Sequence, residues 1–254
     1  MVNPCPWPSL NRTAPNWPAS LASTSKDSES MRQFRLLALL LLVPLVVSCS
    51  SSNGAGLSQG CANAAAACLQ GKALVEMTTS KGAITIEVDG DAAPLTAGNF
   101  VDLVGRGVYD GTMFHRVVRE PVPFVVQGGD PTSKDRSTLT SQLGSGSFVD
   151  PESGQARMIP LELKFTDEEA PRYGRVVTNP SELGKLALMH ERGAVAMARS
   201  QSPDSASAQF YVALKPLPEL DGRYAVFGRV TKGLDVVDAI RQGDRITKAV
   251  LEQP

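Results

Sequence analysis

The chain is poor in the residues from which most metal and nucleophilic sites are built. Its 254 residues include 2 His and 4 Cys, the cysteines at positions 5, 49, 61 and 68. Everything beyond Cys68 is thiol-free, which disfavours Cys/His zinc sites and cysteine nucleophiles in the main body. His115 and His190 stand far apart without carboxylate companions in a recognisable spacing, so no metal is expected. No G-x-x-x-x-G-K-[ST] phosphate loop, G-x-S-x-G turn or H-E-x-x-H pair occurs, and a hydrolytic triad around either histidine has no motif behind it. Basic excess is missing too: 25 Lys and Arg oppose 26 Asp and Glu, a net charge of -1. A nucleic-acid binder would present a basic face, so nucleic acid is not an expected partner. Nor is there an apolar run of the ~20 residues a membrane span needs.

The apolar run that does exist is short and has a positive head. From Met31 the chain reads MRQFRLLALLLLVPLVVSCSS, with Arg32 and Arg35 ahead of apolar residues 36–47. That length suits the apolar core of a secretory signal. A buried core helix is the competing reading, opposed by the Arg flanks, Pro44 and the Ser/Gly-rich stretch beyond. Val46-Val47-Ser48-Cys49 resembles a bacterial lipoprotein cleavage box. The resemblance implies that Cys49 becomes a lipid-bearing N-terminus, holding the protein to a bacterial membrane on its extracytoplasmic (periplasmic) side. Residues 1–30, rich in Pro, Ser and Asn, are then an upstream extension, 31–48 the signal peptide and 49–72 a flexible tether. Cys61 and Cys68 either pair in an oxidising compartment or remain two free thiols of a linker.

Residues 73–254 read as one strand-rich domain. Ile84, Ile86 and Val88 alternate with Thr85 and Glu87, and with residues 74–77 they predict a hairpin that buries one face. Pro94 opens a helical stretch carrying Leu95, Phe100, Leu103 and Val104, which stops at Gly105-Arg106-Gly107. Short strands are expected near 113–118, 124–127, 194–198, 209–214 and 224–230. A helix at 234–241 and a last strand at 245–251 follow. Many short strands with two helices predict a mainly β, closed antiparallel barrel. The Gly-, Ser- and Pro-rich region 131–185 is a long insert, its apolar run 158–163 a possible edge strand because of Pro160.

What stands out chemically is a set of aromatic, Arg and Gln residues. Phe114-His115-Arg116 precedes Phe124-Val125-Val126-Gln127-Gly128-Gly129-Asp130, and later come Met197-Ala198-Arg199-Ser200, Gln209-Phe210-Tyr211 and Leu220-Asp221-Gly222. Strand alternation would put Phe114 with Arg116 on one face, and Gln209 with Tyr211 on one face. Taken singly, each reads as ordinary core or surface. Together, over residues 73–251, they resemble the cyclophilin family of peptidyl-prolyl isomerases. The resemblance implies an eight-stranded antiparallel barrel capped by two α-helices and cofactor-free rotation of X-Pro bonds in proline-containing segments of folding proteins. It makes Arg116 the catalytic arginine, and Phe124, Val125, Tyr211 and Leu220 the walls of a proline pocket. Gln127 orients substrate and arginine; Gln209 and the backbone at Ala198 and Arg199 are neighbouring contacts. His115 stands beside the groove with a structural duty, and Tyr224 lies at its rim.

Several positions depart from the family pattern. Val125 replaces a common methionine, Arg199 a frequent asparagine, Tyr224 a histidine, and Glu219 a tryptophan that supports cyclosporin binding. The spacer 119–123 is longer than usual, as is the 131–185 insert. The alternative function is a non-catalytic proline-peptide-binding chaperone or assembly factor. With no oligomer signal, a monomer is the default. The lipoprotein reading predicts a precursor that starts at Met31 and a mature chain whose first residue is acylated Cys49. Intact mass before and after processing checks both, and a precursor carrying residues 1–30 would overturn the first.

Overall fold

A computed structural model describes residues 60–61 and 68–252; the expected signal peptide, Cys49 and most of the tether lie outside the described residues. The first hairpin is longer than the sequence pattern predicts. β1 (Lys72–Thr79) and β2 (Gly82–Asp89) pair antiparallel along their whole length, from Lys72 opposite Asp89 to Thr79 opposite Gly82. Val75, Met77, Ile84, Ile86 and Val88 are all buried. Gly82 ends the turn at φ +135, a backbone conformation that a Cβ-bearing residue rarely adopts.

β3 (Arg116–Val117), β4 (Val125–Gly128), β7 (Ala194–Met197), β8 (Phe210–Ala213), β9 (Val226–Lys232) and β10 (Ile246–Leu251) complete one eight-stranded sheet, ordered β10-β1-β2-β9-β7-β8-β4-β3. All its pairings are antiparallel. The expected closed barrel is corrected here, because the order has two ends, β10 and β3, with no ladder between them. The sheet curls until those ends meet at the single bridge from Met113 to Arg245. Backbone bonds nearby, such as Phe114 N–H to Asp244 O at 2.8 Å, cover the seam. β3 is too short to extend this contact into a ladder, so the architecture is a strongly curled half-barrel.

α1 (Pro94–Gly105) packs into the curl, Pro94 occupying the first helical turn, where its missing N–H costs nothing. Phe100 on α1 lies 5.0 Å from the Tyr109 ring, 4.9 Å from Phe227 and 5.5 Å from Phe210, centroid to centroid. The Tyr109 hydroxyl donates to Ala208 O at 3.0 Å, which satisfies it within this apolar centre. α3 (Leu234–Ala239) closes another part with Val237 and ends two residues earlier than its periodicity predicts. Arg119, in the long spacer, donates to Val237 O and Ile240 O at that helix's C-terminal end.

The insert carries its own small structure. Among the described residues β5 (Glu162–Leu163) pairs only with β6 (Arg172–Tyr173), and α2 (Pro180–Leu183) is a four-residue helix beyond the two that were expected. The apolar run thus contributes two strand residues to a separate ribbon, while Ile159 bridges Ala206. Leu161, Leu163, Phe165, Val177 and Leu186 form a separate apolar cluster with Ala225. Cys61 and Cys68 are paired, their Cα atoms 5.7 Å apart. Leu69 N–H donates to Pro94 O and Gly71 N–H to Asp91, so this end of the N-terminal stretch is bonded to the domain.

One buried cation fastens the insert to α1. The Arg157 side chain, 2% exposed, donates to Asp102 at 2.5 Å and Asp150 at 3.4 Å. Its guanidinium carbon lies 4.7 Å from the centre of the Phe148 ring. Removing one member of a buried pair costs roughly 3–5 kcal/mol, and partial exposure of the two carboxylates brings the expectation to the lower end. Arg157→Ala is therefore predicted to lower unfolding stability by about 3 kcal/mol in urea titration; wild-type stability would show that the insert is held by its apolar cluster alone.

Candidate functional site

Strand register alone lines up a row across five strands. Arg116 on β3 stands opposite Gln127 on β4, Gln127 opposite Tyr211 on β8, Tyr211 opposite Ala196 on β7, and Ala196 opposite Val226 on β9. This row lies on the sheet's outer face, where Val125, Ala194, Ala196, Tyr211, Ala213, Leu217 and Val226 form a second apolar cluster. Phe124, Ala198, Leu220 and Tyr224 pack against it, half-buried. Their edges leave a cavity of about 220 Å³ lined by Arg116, Phe124, Val125, Gln127, Ala198, Arg199, Tyr211, Leu220 and Tyr224.

The polar side of this notch is a chain of side-chain amides. Arg116 Nη1 donates to Gln127 Oε1 at 3.4 Å, and Gln127 Nε2 donates to Gln209 Oε1 at 3.3 Å. Gln209 Nε2 donates in turn to Gly146 O at 2.8 Å. The loop that offers Gly146 is pinned by Asp130, whose Oδ2 accepts from Gly144 N at 2.6 Å and Gly146 N at 3.3 Å. Burial alone would raise the Asp130 carboxyl, but Thr132 and these backbone donors hold it below the usual range. A Cβ at Gly146 would sit 2.0 Å from Asp130 Oδ1, so only glycine allows this close approach. Arg116 itself stays exposed, its guanidinium carbon 5.7 Å from the centre of the Phe124 ring. The mouth of the notch thus presents a cation beside an aromatic wall.

Two expected residues fall outside this lining. Gln209 lines a neighbouring cavity of about 380 Å³, shared with Gly144–Ser147 and Met158 of the insert. His115 lines neither cavity, and both its ring nitrogens are buried without a hydrogen-bond partner. Burial lowers its pKa against the opposing pull of Asp130. The expected sharing of a face by Phe114 and Arg116 is also overturned: Phe114 is fully buried in the interior core, whereas Arg116 is exposed on the groove side. Residues 114–115 lie between the bridge at Met113 and the start of β3, outside any strand, so alternation does not run through them.

Other contributors were not anticipated. The Arg199 side chain, expected to offer only backbone, donates to Arg223 O at 2.7 and 2.9 Å and to Ser200 O at 2.8 Å. Its guanidinium carbon lies 4.7 Å from the centre of the Tyr224 ring, fixing that rim residue. Ala198 N–H donates to Gln209 O at 2.9 Å, just beyond the ends of β7 and β8, so this amide is already engaged. His190, for which the sequence suggested no carboxylate companion, has one: Nδ1 lies 2.7 Å from Asp221 Oδ1, and Nε2 lies 2.9 Å from the Tyr211 hydroxyl. The pair was hidden because 31 residues separate its members. Among the described residues no group of three His, Cys, Asp or Glu side chains is arranged to hold a metal ion.

A curled antiparallel sheet around a helix, with an arginine-edged apolar notch outside it, defines the class of protein. The profile of the cyclophilin type peptidyl-prolyl cis-trans isomerase family matches residues 74–254, and the chain belongs to that family. A Synechocystis protein named as a thylakoid lumen peptidyl-prolyl cis-trans isomerase is 37% identical over 238 residues, covering 90% of this chain and 59% of that protein. A chloroplastic peptidyl-prolyl cis-trans isomerase of Arabidopsis thaliana is 39% identical over 174 residues, 63% of this chain and 36% of its own length. This chain therefore spans well under two thirds of either relative. A crystal structure of a Cryptosporidium parvum cyclophilin type peptidyl-prolyl cis-trans isomerase shares the fold at TM-score 0.52 and 21% identity, covering 72% of this chain and 99% of that one. A second structure of that protein was obtained in the presence of the dipeptide Ala-Pro, at TM-score 0.50.

Both histidines are predicted to titrate low. Burial depresses the folded-state pKa of His115 and His190, while the unfolded chain takes up protons near the ordinary value of about 6.5. Their contribution to stability is full above that value and is lost as pH falls through it toward the folded-state values. NMR titration should place both midpoints below about 6.5, and unfolding midpoints should fall between pH 7.5 and 5.5. A flat profile over that interval would contradict the burial argument.

Proposed function

We propose that the domain rotates X-Pro peptide bonds in exported proteins, with Arg116 as the catalytic group. The observation that carries this reading is the guanidinium at the mouth of an apolar notch, bonded to Gln127 at 3.4 Å and facing the Phe124 ring at 5.7 Å. A planar X-Pro bond resists rotation because its partial double bond sets a barrier of ~18–20 kcal/mol. At the twisted midpoint conjugation is lost and the proline nitrogen gains a basic lone pair. Arg116 can donate to that lone pair, or hold the substrate carbonyl, more strongly than in the planar state, and such differential binding is what accelerates a reaction.

Phe124, Val125, Tyr211 and Leu220 form the walls that seat the proline ring, with Tyr224 at the rim. Gln127 holds the guanidinium, Gln209 holds Gln127, and His115 supports the groove without acid–base work. Enclosing the ring also strips water from the reacting amide. Five decades of acceleration would need ~7 kcal/mol, and one charge-assisted hydrogen bond supplies about 1.5–3 kcal/mol. Seating and desolvation must therefore furnish the larger share. The dipeptide Ala-Pro present with the Cryptosporidium relative is the kind of ligand this notch would take.

Export and anchoring belong to the same reading. The apolar run 36–47 and the box ending in Cys49 support a lipid-anchored protein outside the cytoplasm, and the Synechocystis relative named for the thylakoid lumen supports the location alone. Among the described residues no helix is long and apolar enough to cross a membrane.

Arg116→Ala is predicted to lower kcat/KM for a proline-containing tetrapeptide by about 10²-fold, with the folded state unchanged because Arg116 is exposed. Equal rates for variant and wild type would leave only the non-catalytic, proline-binding reading.

A further inference from the structure

Tyr211 supplies one wall of the notch and Leu220 another, yet they come from β8 and from a turn beyond it. A single buried imidazole joins them. His190 is 2% exposed, and its Nδ1 and its backbone N–H both meet Asp221 Oδ1, at 2.7 and 2.9 Å. Asp221 directly follows Leu220 and caps the short 3₁₀ turn Pro218–Leu220. Leu217 N–H, at the head of that turn, donates to His190 O at 2.8 Å. On its other side the imidazole reaches the Tyr211 hydroxyl at 2.9 Å, with the two rings within 12° of parallel. Tyr211 in turn meets the rim residue Tyr224 edge to face, centroids 5.9 Å apart.

The proton positions follow from chemistry. A carboxylate only accepts, so the hydrogen sits on Nδ1 and points at Asp221. Nε2 is left with a lone pair, and the buried phenol of Tyr211 donates to it. Asp221 and Glu219 favour the protonated ring, but burial outweighs them and keeps the imidazole neutral. Both ring nitrogens are thus engaged, and Asp221 Oδ1 accepts from the ring and from the His190 backbone N–H. The arrangement looks like a hydrolytic triad, but its hydroxyl belongs to a 5% exposed phenol bonded to His190, with no route to attack a substrate.

We propose that His190 is a positioning residue for the proline notch, setting the distance between its Tyr211 and Leu220 walls through the Asp221–His190–Tyr211 chain. The proposal rests on the isomerase reading of that notch and adds to it a buried support that touches no substrate.

The test is a double-mutant cycle on kcat and KM for proline isomerisation, with Tyr211→Phe, His190→Gln and both together. Each single change is expected to lower kcat/KM by about three- to tenfold, mainly by raising KM, since wall position governs how the ring seats. The double variant should be no worse than His190→Gln alone, because the hydroxyl that glutamine leaves unpaired is then absent. Multiplicative losses, or wild-type KM in folded single variants, would overturn the proposal. Nitrogen-15 NMR of His190 reads the chain without any activity: the expected form carries hydrogen on Nδ1, with an Nε2 shift that changes in Tyr211→Phe. Hydrogen on Nε2 would refute it. Should the wild-type protein fail to isomerise any X-Pro peptide, the isomerase reading falls, and the NMR result still decides whether His190 holds Tyr211.

Discussion

Everything at the notch depends on the antiparallel register that puts Arg116, Gln127, Tyr211, Ala196 and Val226 on one line across the sheet. A slip of one residue in any of these pairings would turn side chains to the opposite face. The interior core resists such a slip, because Val126, Val195, Phe210, Val212 and Phe227 fill it from the same strands. The residues that hold the barrel-like curl and those that line the groove alternate along the same short segments. Stability of the core and geometry of the site are therefore one constraint read on two faces.

Within that frame the positive end of the site is supported by neutral groups. Arg116 meets a side-chain amide where a carboxylate partner would be the stronger bond. A carboxylate at hydrogen-bond distance would satisfy the guanidinium and compete with the substrate for its donors. An amide oxygen at 3.4 Å orients it weakly and leaves its charge uncompensated at the mouth of the notch, as the proposed mechanism requires. The only ionised member of the supporting chain, Asp130, lies at its far end, beyond two glutamines and a glycine loop.

How much of this could be read from the chain follows from how local each signal is. The hairpin of β1 and β2 and the helix α1 announce themselves by alternation and by Pro94, because the deciding residues are neighbours in sequence. Arg116, Phe124 and Gln127 are also close together, and their identities are specific enough to mark the groove. Closure was not legible, since whether β3 meets β10 depends on two strands more than a hundred residues apart, one of them only two residues long. The same holds for His190 and Asp221, whose pairing needs the tertiary fold, and for Cys61 and Cys68, where spacing permitted pairing without requiring it. Phe114 misled for a different reason: alternation is a rule for strands, and the backbone there is not yet one.

The insert's placement in the fold says what it touches. It leaves the notch beside Arg116 unlined, because none of residues 131–185 borders that cavity. It builds instead the wall of the adjoining cavity from Gly144–Ser147 and Met158, and supplies Gly146 O as the anchor of Gln209. Arg157 and the apolar cluster around Phe165 hold the base of that wall to α1 and to the β9 end of the sheet. Under the proposed reading, a change in the insert would act through Gln209 and Gln127 on the aim of Arg116. The two cavities share Gln127, Ala198 and Arg199, so the insert reaches the notch through these residues and not by lining it.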